Sequence, residues 1–312
     1  MVDSALMEEF RSFFSINNMD PQEQLRQLKP RKEFFIGIDS DGCVFDTMEI
    51  KHKECFCPNF IKHFGMQKVS RYAREAWEFV NLYSRSRGTN RFPALVEVVL
   101  LLGERKEVQA RKALMPDLAS LKVWIDGETK LGNPALEKYA RQVNDPIIDL
   151  TLKWSVDVNK AIAEMVYGVP PFPFVTESLE KLTPLADTMV VSQTPLEALV
   201  REWEENGIEP YAGFIAGQEH GTKTEHITLG AKGKYPDNKV LMIGDALGDL
   251  NAAKKNGVLF FPVNPGHEES SWELFYREGL DRFFTGTYAG DYEAALIREF
   301  EKYLPERPPW KT

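Results

Sequence analysis

Short apolar runs that alternate with helical patterns constrain the fold of this chain more than any other feature. The runs are rich in Phe, Ile and Val, and a run that is apolar on both faces is typical of a buried strand in a parallel sheet. Helical patterns precede or separate the last four runs, which is the alternation of a doubly wound α/β domain. The runs span residues 33–39, 188–192, 213–217, 239–245 and 257–263.

A long helical stretch interrupts this alternation after the first run. Residues 49–169 are rich in Leu, Ala, Glu, Lys and Arg, contain no convincing strand run, and are broken at intervals by Pro and Gly. We interpret them as an α-helical cap domain inserted into an α/β core that comprises residues 1–48 and 170–312. The two flanks of the core are expected to be helical, with one or two amphipathic helices over 1–32 and a single closing helix over 281–303.

Charge and composition exclude several classes of protein. Lys and Arg number 38 against 47 Asp and Glu, whereas proteins that bind duplex nucleic acid usually carry the opposite balance. Three cysteines are too few for disulfides to stabilise a chain of 312 residues, and free thiols fit a reducing compartment. The N-terminal segment does not resemble a signal peptide, and the most apolar stretch, 94–103, is too short to span a bilayer. We expect a cytoplasmic protein without nucleic-acid or membrane partners; the oligomeric state stays open.

The first run ends in a dense acidic motif, Asp39-Ser-Asp41-Gly-Cys-Val-Phe-Asp46-Thr. Ligands of open α/β sheets bind in the crevice beyond the carboxyl ends of the strands, which is where Asp39 and Asp41 would lie. Gly42 permits a backbone conformation that a side chain would obstruct. Carboxylates crowded this closely repel one another and favour a hard cation with oxygen ligands, so Mg²⁺ is the expected cofactor.

A second acidic cluster follows the run 239–245 in the same setting. Asp245 stands at the end of that run, and Asp249 follows four residues later. If this strand neighbours the first, Asp245 faces Asp39 across the crevice and the two clusters share one cation. Asp249 could instead serve only as the N-cap of the following helix.

Two further positions fit the binding of a phosphoryl group. Ser192 ends a strand run just before Pro195, so its hydroxyl and nearby backbone N–H groups would face an anion, although a helix cap has the same pattern. A lysine between Ser192 and the second acidic cluster would supply a point charge for a phosphate. Lys223 is the candidate, and Lys232 and Lys234 compete with it.

These four pieces, in this order, resemble the motifs of the haloacid dehalogenase-like hydrolase superfamily, in its phosphatase type with a helical cap. The resemblance covers residues 33–263 and implies a Rossmann-like doubly wound parallel sheet with an inserted α-helical cap domain. Many members with helical caps have proline after the lysine of the third motif, whereas Thr224 stands there in this chain. The four matches are 39–47, Ser192, Lys223 and 244–249.

The resemblance implies a role for each acidic residue that matches. Asp39 would be the nucleophile that forms an aspartyl-phosphate, and Asp41 would act as general acid and then as general base. Mg²⁺ would be held by Asp39 and by the backbone carbonyl of Asp41. Asp245 and Asp249 would complete the metal site, the latter directly or through water. Because Asp41 is present, phosphoester chemistry is favoured over dehalogenase or phosphonatase activity.

The resemblance also assigns the contacts with substrate. Ser192 and Lys223 would bind the transferring phosphoryl group. Apart from the resemblance, the sequence itself offers three arginines of the cap as candidates for contacts with the rest of the substrate. They are Arg85, Arg87 and Arg91.

The expected function is the Mg²⁺-dependent hydrolysis of a small phosphorylated metabolite. Residues 49–112 contain 13 Lys and Arg against 7 Asp and Glu, and this positive charge suits a small anionic substrate, although solvated helix faces would show the same charges. Two alternatives stay open. One is a phosphomutase of the β-phosphoglucomutase type, and the other is a catalytically inert binding or regulatory module on the same fold. The substrate itself is not readable from the sequence.

Overall fold

The structure is a computed structural model that describes residues 19–311. Residues 1–18, and with them most of the N-terminal helical segment expected over 1–32, lie outside the described residues. A five-stranded sheet has the order β3-β2-β1-β4-β5. Its strands are β1 (Phe34–Ile38), β2 (Ala186–Val191), β3 (Phe214–Ala216), β4 (Val240–Gly244) and β5 (Leu259–Pro262).

The helices account for most of the remaining chain. They are α1 (Pro21–Gln27), α2 (Thr47–Ile50), α3 (Cys57–His63), α4 (Ser70–Asn81), α5 (Arg91–Gly103), α6 (Lys106–Ala110), α7 (Ala119–Gly127), α8 (Asn133–Val143), α9 (Pro146–Met165), α10 (Val175–Leu182), α11 (Leu196–Glu205), α12 (Lys223–Gly230), α13 (Leu247–Asn256), α14 (Glu268–Leu274), α15 (Leu280–Thr285) and α16 (Asp291–Tyr303). Two π-helical stretches, Lys51–Phe56 and Phe275–Gly279, join α2 to α3 and α14 to α15.

All strand pairs of the sheet are parallel, which confirms the predicted doubly wound α/β class. Ile38, at the end of β1, pairs with Val190 on one side and with Ile243 on the other. The chain runs from β1 outward through β2 to β3, and then returns to β4 on the opposite flank of β1. This reversal of strand order makes the carboxyl ends of β1 and β4 the place where an open sheet binds its ligands.

Close packing explains the glycine in the middle of β1. A Cβ atom on Gly37 would lie 3.1 Å from Cγ2 of Val191 and 3.2 Å from Sδ of Met242. The side chains of β2 and β4 therefore fill the space beside the central strand. All five residues of β1 are buried, as expected for a strand covered on both faces.

The described chain groups into two compact units. The first, here called the α/β unit, contains residues up to Val44, Pro171–Val263 and Glu268–Ile297. The second, the helical unit, contains Phe45–Pro170, Asn264–His267 and the residues from Arg298 onward. Within the described residues 49–169 every regular element is helical, as the composition predicted. The division into two independently folding domains stays a prediction.

The C-terminal region differs from expectation in two ways. The single helix predicted over 281–303 is wrong, because α15 ends at Thr285 and the next residue, Gly286, has a left-handed φ of +75° that closes the helix. The residues from Arg298 onward, expected in the α/β core, group with the helical unit. The ring of Trp310 lies 5.7 Å from that of Phe79 and 4.4 Å from the guanidinium of Arg105, so aromatic packing holds the end of the chain there.

Aromatic side chains form the core of the helical unit. The rings of Trp77 and Trp154 meet edge to face at 5.9 Å, and Phe60 lies 5.4 Å from Trp77. Asp145 caps α9 by accepting hydrogen bonds from the two N–H groups of Ile147 and Ile148. No helix within residues 19–311 combines the length and the hydropathy that crossing a bilayer requires.

Candidate active site

Three carboxylates meet at the carboxyl edge of the sheet. Asp39 follows β1 and Asp245 follows β4, and the two strands are hydrogen-bonded neighbours. The register continues one residue further, because the N–H of Asp39 donates to the carbonyl of Ile243 at 3.0 Å. Asp249 lies in the first turn of α13, and one oxygen from each of the three carboxylates lies within 4.8 Å of the others. The structure thus brings together the two acidic clusters that the sequence separates by more than 200 positions.

Gly244 makes the close approach of Asp249 possible. A Cβ atom on Gly244 would lie 2.4 Å from both Cβ and Cγ of Asp249, so a larger residue would displace this side chain. The Oδ2 atom of Asp249 accepts a hydrogen bond from the N–H of Ala246 at 3.1 Å. Asp249 therefore serves as a cap at the start of α13 and also presents its other oxygen, Oδ1, to the carboxylate cluster.

Lys223 lies among the carboxylates. Its Nζ is 2.6 Å from Oδ2 of Asp39 and 2.7 Å from Oδ1 of Asp249. A capping box starts α12 and makes Lys223 its first residue: the hydroxyl of Thr222 accepts from the N–H of Glu225, whose carboxylate accepts from the N–H of Thr222. The local sequence therefore fixes where the lysine leaves the backbone.

The two competing lysines have other partners. Nζ of Lys232 lies 2.7 Å from a carboxylate oxygen of Asp237 and donates to the carbonyl of Asn256. Nζ of Lys234 donates to the carbonyl of Leu25 at 2.7 Å. Of the three candidates, Lys223 is the one that pairs with the clustered carboxylates.

Burial and mutual repulsion shape the ionisation of this cluster. Burial raises the pKa of Asp39 well above its usual range, and the neighbouring Asp249 and Asp245 raise it further, against the effect of Lys223. Burial also raises the pKa of Asp249. For Lys223, burial by itself lowers the pKa, but the three carboxylates together raise it, so the amine stays protonated.

The charge balance of the cluster fits a divalent cation. With all three carboxylates ionised beside one ammonium, this buried site would carry a net charge of −2, which is unfavourable unless it is compensated. The available atoms are hard carboxylate oxygens, which are the ligands that Mg²⁺ prefers. The residues present therefore fit the predicted metal, with Asp39, Asp245 and Asp249 as the side chains that would hold it.

The loop after β1 carries Asp41 and is anchored from α11. Gly42 has a φ of +74°, a left-handed conformation that explains the glycine expected at this turn. The hydroxyl of Ser40 accepts a hydrogen bond from Nε1 of Trp203 at 3.0 Å and donates to a carboxylate oxygen of Glu202 at 3.1 Å. Asp41 itself is half-buried, and its Oδ2 accepts a hydrogen bond from a threonine hydroxyl.

Ser192 lies at the predicted edge but makes the contact of a local turn. Its N–H donates to the carbonyl of Ala216 at 3.0 Å, and its Oγ accepts from the N–H of Thr194 at 3.2 Å. This turn precedes α11, as the helix-cap alternative expected. A phosphoryl-binding role for Ser192 stays a prediction.

Sequence reasoning missed two contributors to the loop that carries the acids. Thr194 donates its hydroxyl to Asp41 at 2.7 Å, across 153 positions of sequence. Trp203, on α11, donates from Nε1 to the hydroxyl of Ser40 at 3.0 Å. A polar residue shortly after the second motif was the one available signal for Thr194, and no pattern in the sequence connected Trp203 with the site.

The arginines proposed as cap contacts have different environments. Arg87 is buried, and its Nη1 donates to the carbonyl of Leu82 at 2.8 Å. Arg91 donates to the hydroxyl of Ser155 at 3.0 Å and stacks over the ring of Phe56. Both side chains therefore bind groups of the helical unit itself. Arg85 is exposed, and a role in binding substrate stays a prediction for all three.

Comparison with known proteins gives low similarity. No protein-family model matches the chain, and no curated protein matches it. A haloacid dehalogenase-like family hydrolase from Streptococcus pneumoniae is 13% identical, with a TM-score of 0.43, over 78% of this chain and 90% of that chain. One from Xanthomonas campestris is 10% identical, with a TM-score of 0.44, over 87% of this chain and 97% of the other.

The protein CbbY from Rhodobacter sphaeroides, solved in complex with phosphate, is 16% identical with a TM-score of 0.41. This similarity covers 75% of the present chain and 87% of CbbY. Values this low carry no functional argument, so the interpretation of the site depends on the residues of the chain itself. The strand order and the helical insertion after β1 give the chain the fold class that its motifs implied: a Rossmann-like, doubly wound parallel sheet interrupted by a helical segment.

Proposed function

We propose that this protein is a Mg²⁺-dependent phosphatase that hydrolyses a small phosphorylated metabolite through an aspartyl-phosphate on Asp39. One observation carries the proposal: three buried carboxylates converge at the switch point of a parallel sheet, with an ammonium 2.6 Å from one and 2.7 Å from another. The order of the four motifs supports it independently, because the same residues resemble those of haloacid dehalogenase-like phosphatases. The three carboxylates belong to Asp39, Asp245 and Asp249.

Asp39 is placed to act as the nucleophile. It ends the central strand, its Oδ1 accepts the N–H of Ser40 at 2.8 Å, and its Oδ2 pairs with Lys223. Repulsion between a carboxylate and a phosphate dianion is the main obstacle to attack, and the ammonium of Lys223 reduces it. A divalent cation, when bound by the three carboxylates and the backbone carbonyl of Asp41, supplies further positive charge beside the phosphoryl oxygens.

The reaction then takes two steps. In the first, a carboxylate oxygen of Asp39 forms a bond to phosphorus while the bond to the leaving alcohol breaks, and Asp41 gives its proton to the alcohol oxygen. In the second, Asp41 takes a proton from a water molecule whose oxygen attacks phosphorus, and the bond from phosphorus to Asp39 breaks. Inorganic phosphate leaves and both carboxyl groups return to their starting states. Such an acid–base group contributes about 10²- to 10⁴-fold to rate.

Hydrolysis of p-nitrophenyl phosphate tests the proposal. We expect Mg²⁺-dependent release of nitrophenolate that EDTA abolishes, and a loss of at least about 10³-fold in Asp39→Asn, because the amide is a far poorer nucleophile. Asp46→Asn is the matched control, since Asp46 belongs to the same motif but is exposed. Release that persists in Asp39→Asn, or that is equal in EDTA, would contradict the proposal. Absence of release from every phosphoester tried would favour an inert module.

Chemical trapping locates the intermediate. Borohydride reduces an acyl phosphate to an alcohol with release of phosphate, so a phosphorylated Asp39 becomes homoserine in the digested peptide. We expect homoserine at position 39 when substrate is present and unmodified aspartate when it is absent. Incubation with a hexose phosphate then separates hydrolysis from mutase activity, because the first gives free phosphate and the second gives an isomeric sugar phosphate.

A further inference from the structure

A hydroxyl outside the four motifs contacts the proposed general acid. Oγ1 of Thr194 donates to Oδ2 of Asp41 at 2.7 Å. Both residues belong to the α/β unit, and both are half-buried. The contact joins the loop after β1 to the loop after β2, so it links the first acidic motif to the neighbouring strand end.

The backbone of Thr194 is held on both sides. Its N–H donates to Oγ of Ser192 at 3.2 Å, and its carbonyl accepts from the N–H of Gln218 at 3.1 Å. The second contact needs a glycine nearby, because a Cβ atom on Gly217 would lie 2.8 Å from the carbonyl oxygen of Thr194. The hydroxyl is therefore presented to Asp41 from a fixed turn.

The backbone around Asp41 is also held. Ser40 is hydrogen-bonded to Trp203 and Glu202, and Gly42 turns the chain in a left-handed conformation. These contacts fix where the side chain of Asp41 begins. A hydrogen bond from Thr194 to Oδ2 then favours one rotamer of the carboxyl group.

We propose that Thr194 is a positioning residue for Asp41: its hydroxyl orients the carboxyl group that exchanges the proton in both steps of the reaction. The inference rests on the proposed function and deepens it. Thr194 does not touch the reacting atoms; it acts through the carboxyl group of Asp41. Ser192, by contrast, uses its hydroxyl to accept from the backbone of the same turn.

The test compares leaving groups that differ in their need for a proton. An alkyl phosphate requires proton donation to its leaving oxygen, whereas p-nitrophenolate leaves without one. We expect Thr194→Val to lower kcat/KM for an alkyl phosphate by about 10- to 100-fold and for p-nitrophenyl phosphate by less than about threefold. Thr194→Ser restores the hydroxyl and is expected to recover most of the alkyl phosphatase activity. Thermal unfolding of each variant controls for a loss of fold.

A double-mutant cycle shows whether Thr194 acts through Asp41. In an Asp41→Asn background, the substitution Thr194→Val should add little further loss, because the group that it orients is gone. Equal losses on both substrates would indicate that Thr194 binds phosphate, and full additivity with Asp41→Asn would indicate an independent role. Either result overturns the inference, as does an unchanged Thr194→Val enzyme.

Failure of the inference is distinguishable from failure of the proposed function. If the parent enzyme hydrolyses both substrates while Thr194→Val matches it, the positioning role is wrong and the phosphatase stands. If the parent chain hydrolyses neither substrate in Mg²⁺, the proposed function fails, and the positioning role fails with it.

Discussion

The α/β unit gathers its buried carboxylates into one cluster, whereas the helical unit packs its core around a cluster of aromatic rings. In the α/β unit the carboxylate-bearing residues Asp39, Asp245 and Asp249 are 4%, 2% and 0% exposed. In the helical unit Trp77 and Trp154 are fully buried and in contact with each other. Buried carboxylates cost free energy unless they are compensated, while buried aromatic surface stabilises. The difference supports the proposed chemistry at the first cluster and a stabilising role for the second.

The cations of the two clusters also have different surroundings. Lys223 pairs with two carboxylates of the candidate site. In the helical unit Arg105 pairs with a carboxylate oxygen of Glu75 at 2.6 Å, and its guanidinium also lies 4.6 Å from the ring of Tyr72 and 4.4 Å from that of Trp310. Arg91 lies 4.8 Å from the ring of Phe56. Arginine suits such sites because its planar guanidinium stacks on aromatic faces.

The largest expected effect is on the free energy of unfolding, and it distinguishes the aromatic cluster from the carboxylate cluster. Trp154→Ala should lower the free energy of unfolding by about 3–5 kcal/mol, because it removes a large side chain from a packed core. Asp39→Asn should change it by less than about 1 kcal/mol in metal-free buffer, since the lost pairing with Lys223 is offset by relief of carboxylate repulsion. Denaturant unfolding measures both, with Trp154→Phe as the control. Equal destabilisation by the two variants would contradict the division of roles.

The next largest effect is the pH dependence of stability that arises from a buried histidine of the α/β unit. His226 is fully buried, and within residues 19–311 both of its ring nitrogens lack a hydrogen-bond partner. Burial, together with the nearby His220 and Lys223, lowers the pKa of His226 from 6.5 to about 4. The folded chain therefore binds fewer protons than the unfolded chain between these values. The neutral histidine therefore contributes up to about 3 kcal/mol to the free energy of unfolding. This contribution is present above pH 6.5 and is lost as the pH falls toward 4.

His226→Leu isolates this contribution from that of the carboxylates, whose raised pKa values act in the opposite direction. The variant should gain stability relative to the parent as the pH is lowered from 7 toward 4, by up to about 3 kcal/mol. Urea unfolding at several pH values measures the difference. A difference that does not vary with pH would show that His226 does not titrate on unfolding.

The smallest expected effects distinguish the arginines of the helical unit. Arg87→Ala should destabilise by about 1–3 kcal/mol, because it removes a buried donor to the carbonyl of Leu82. Arg85→Ala should change the free energy of unfolding by less than about 0.5 kcal/mol, because the side chain of Arg85 is exposed. If Arg85 contacts substrate, its variant raises KM without a change in stability. The reverse order of stability effects would contradict the assigned environments.

Local chemistry made much of the fold and part of the site predictable. The runs of β1 and β4 were found because every residue of these two strands is buried. Asp39 and Asp245 were placed together because parallel strands end at one edge. Lys223 was chosen for its position between Ser192 and Asp245, but its pairing with Asp39 and Asp249 depends on the folded chain. Contacts between distant loops, such as that of Thr194 with Asp41, depend on tertiary geometry that no local pattern encodes.

Two further differences have the same origin. Gly286 breaks the expected closing helix, and the periodic pattern on either side concealed the break. The burial of Arg87 was likewise not visible in the sequence, and its role in binding substrate stays a prediction.

The most direct test of the central claim is the calorimetric titration of the metal-free protein with Mg²⁺. The three clustered carboxylates predict one saturable site per chain, and Asp245→Asn should abolish it or weaken it by at least about tenfold. Bound Mg²⁺ should also raise the free energy of unfolding of the parent, by about 3 kcal/mol at a hundredfold excess over Kd. Absence of binding to the parent, or equal binding to Asp245→Asn, would contradict a shared cation at the ends of β1 and β4.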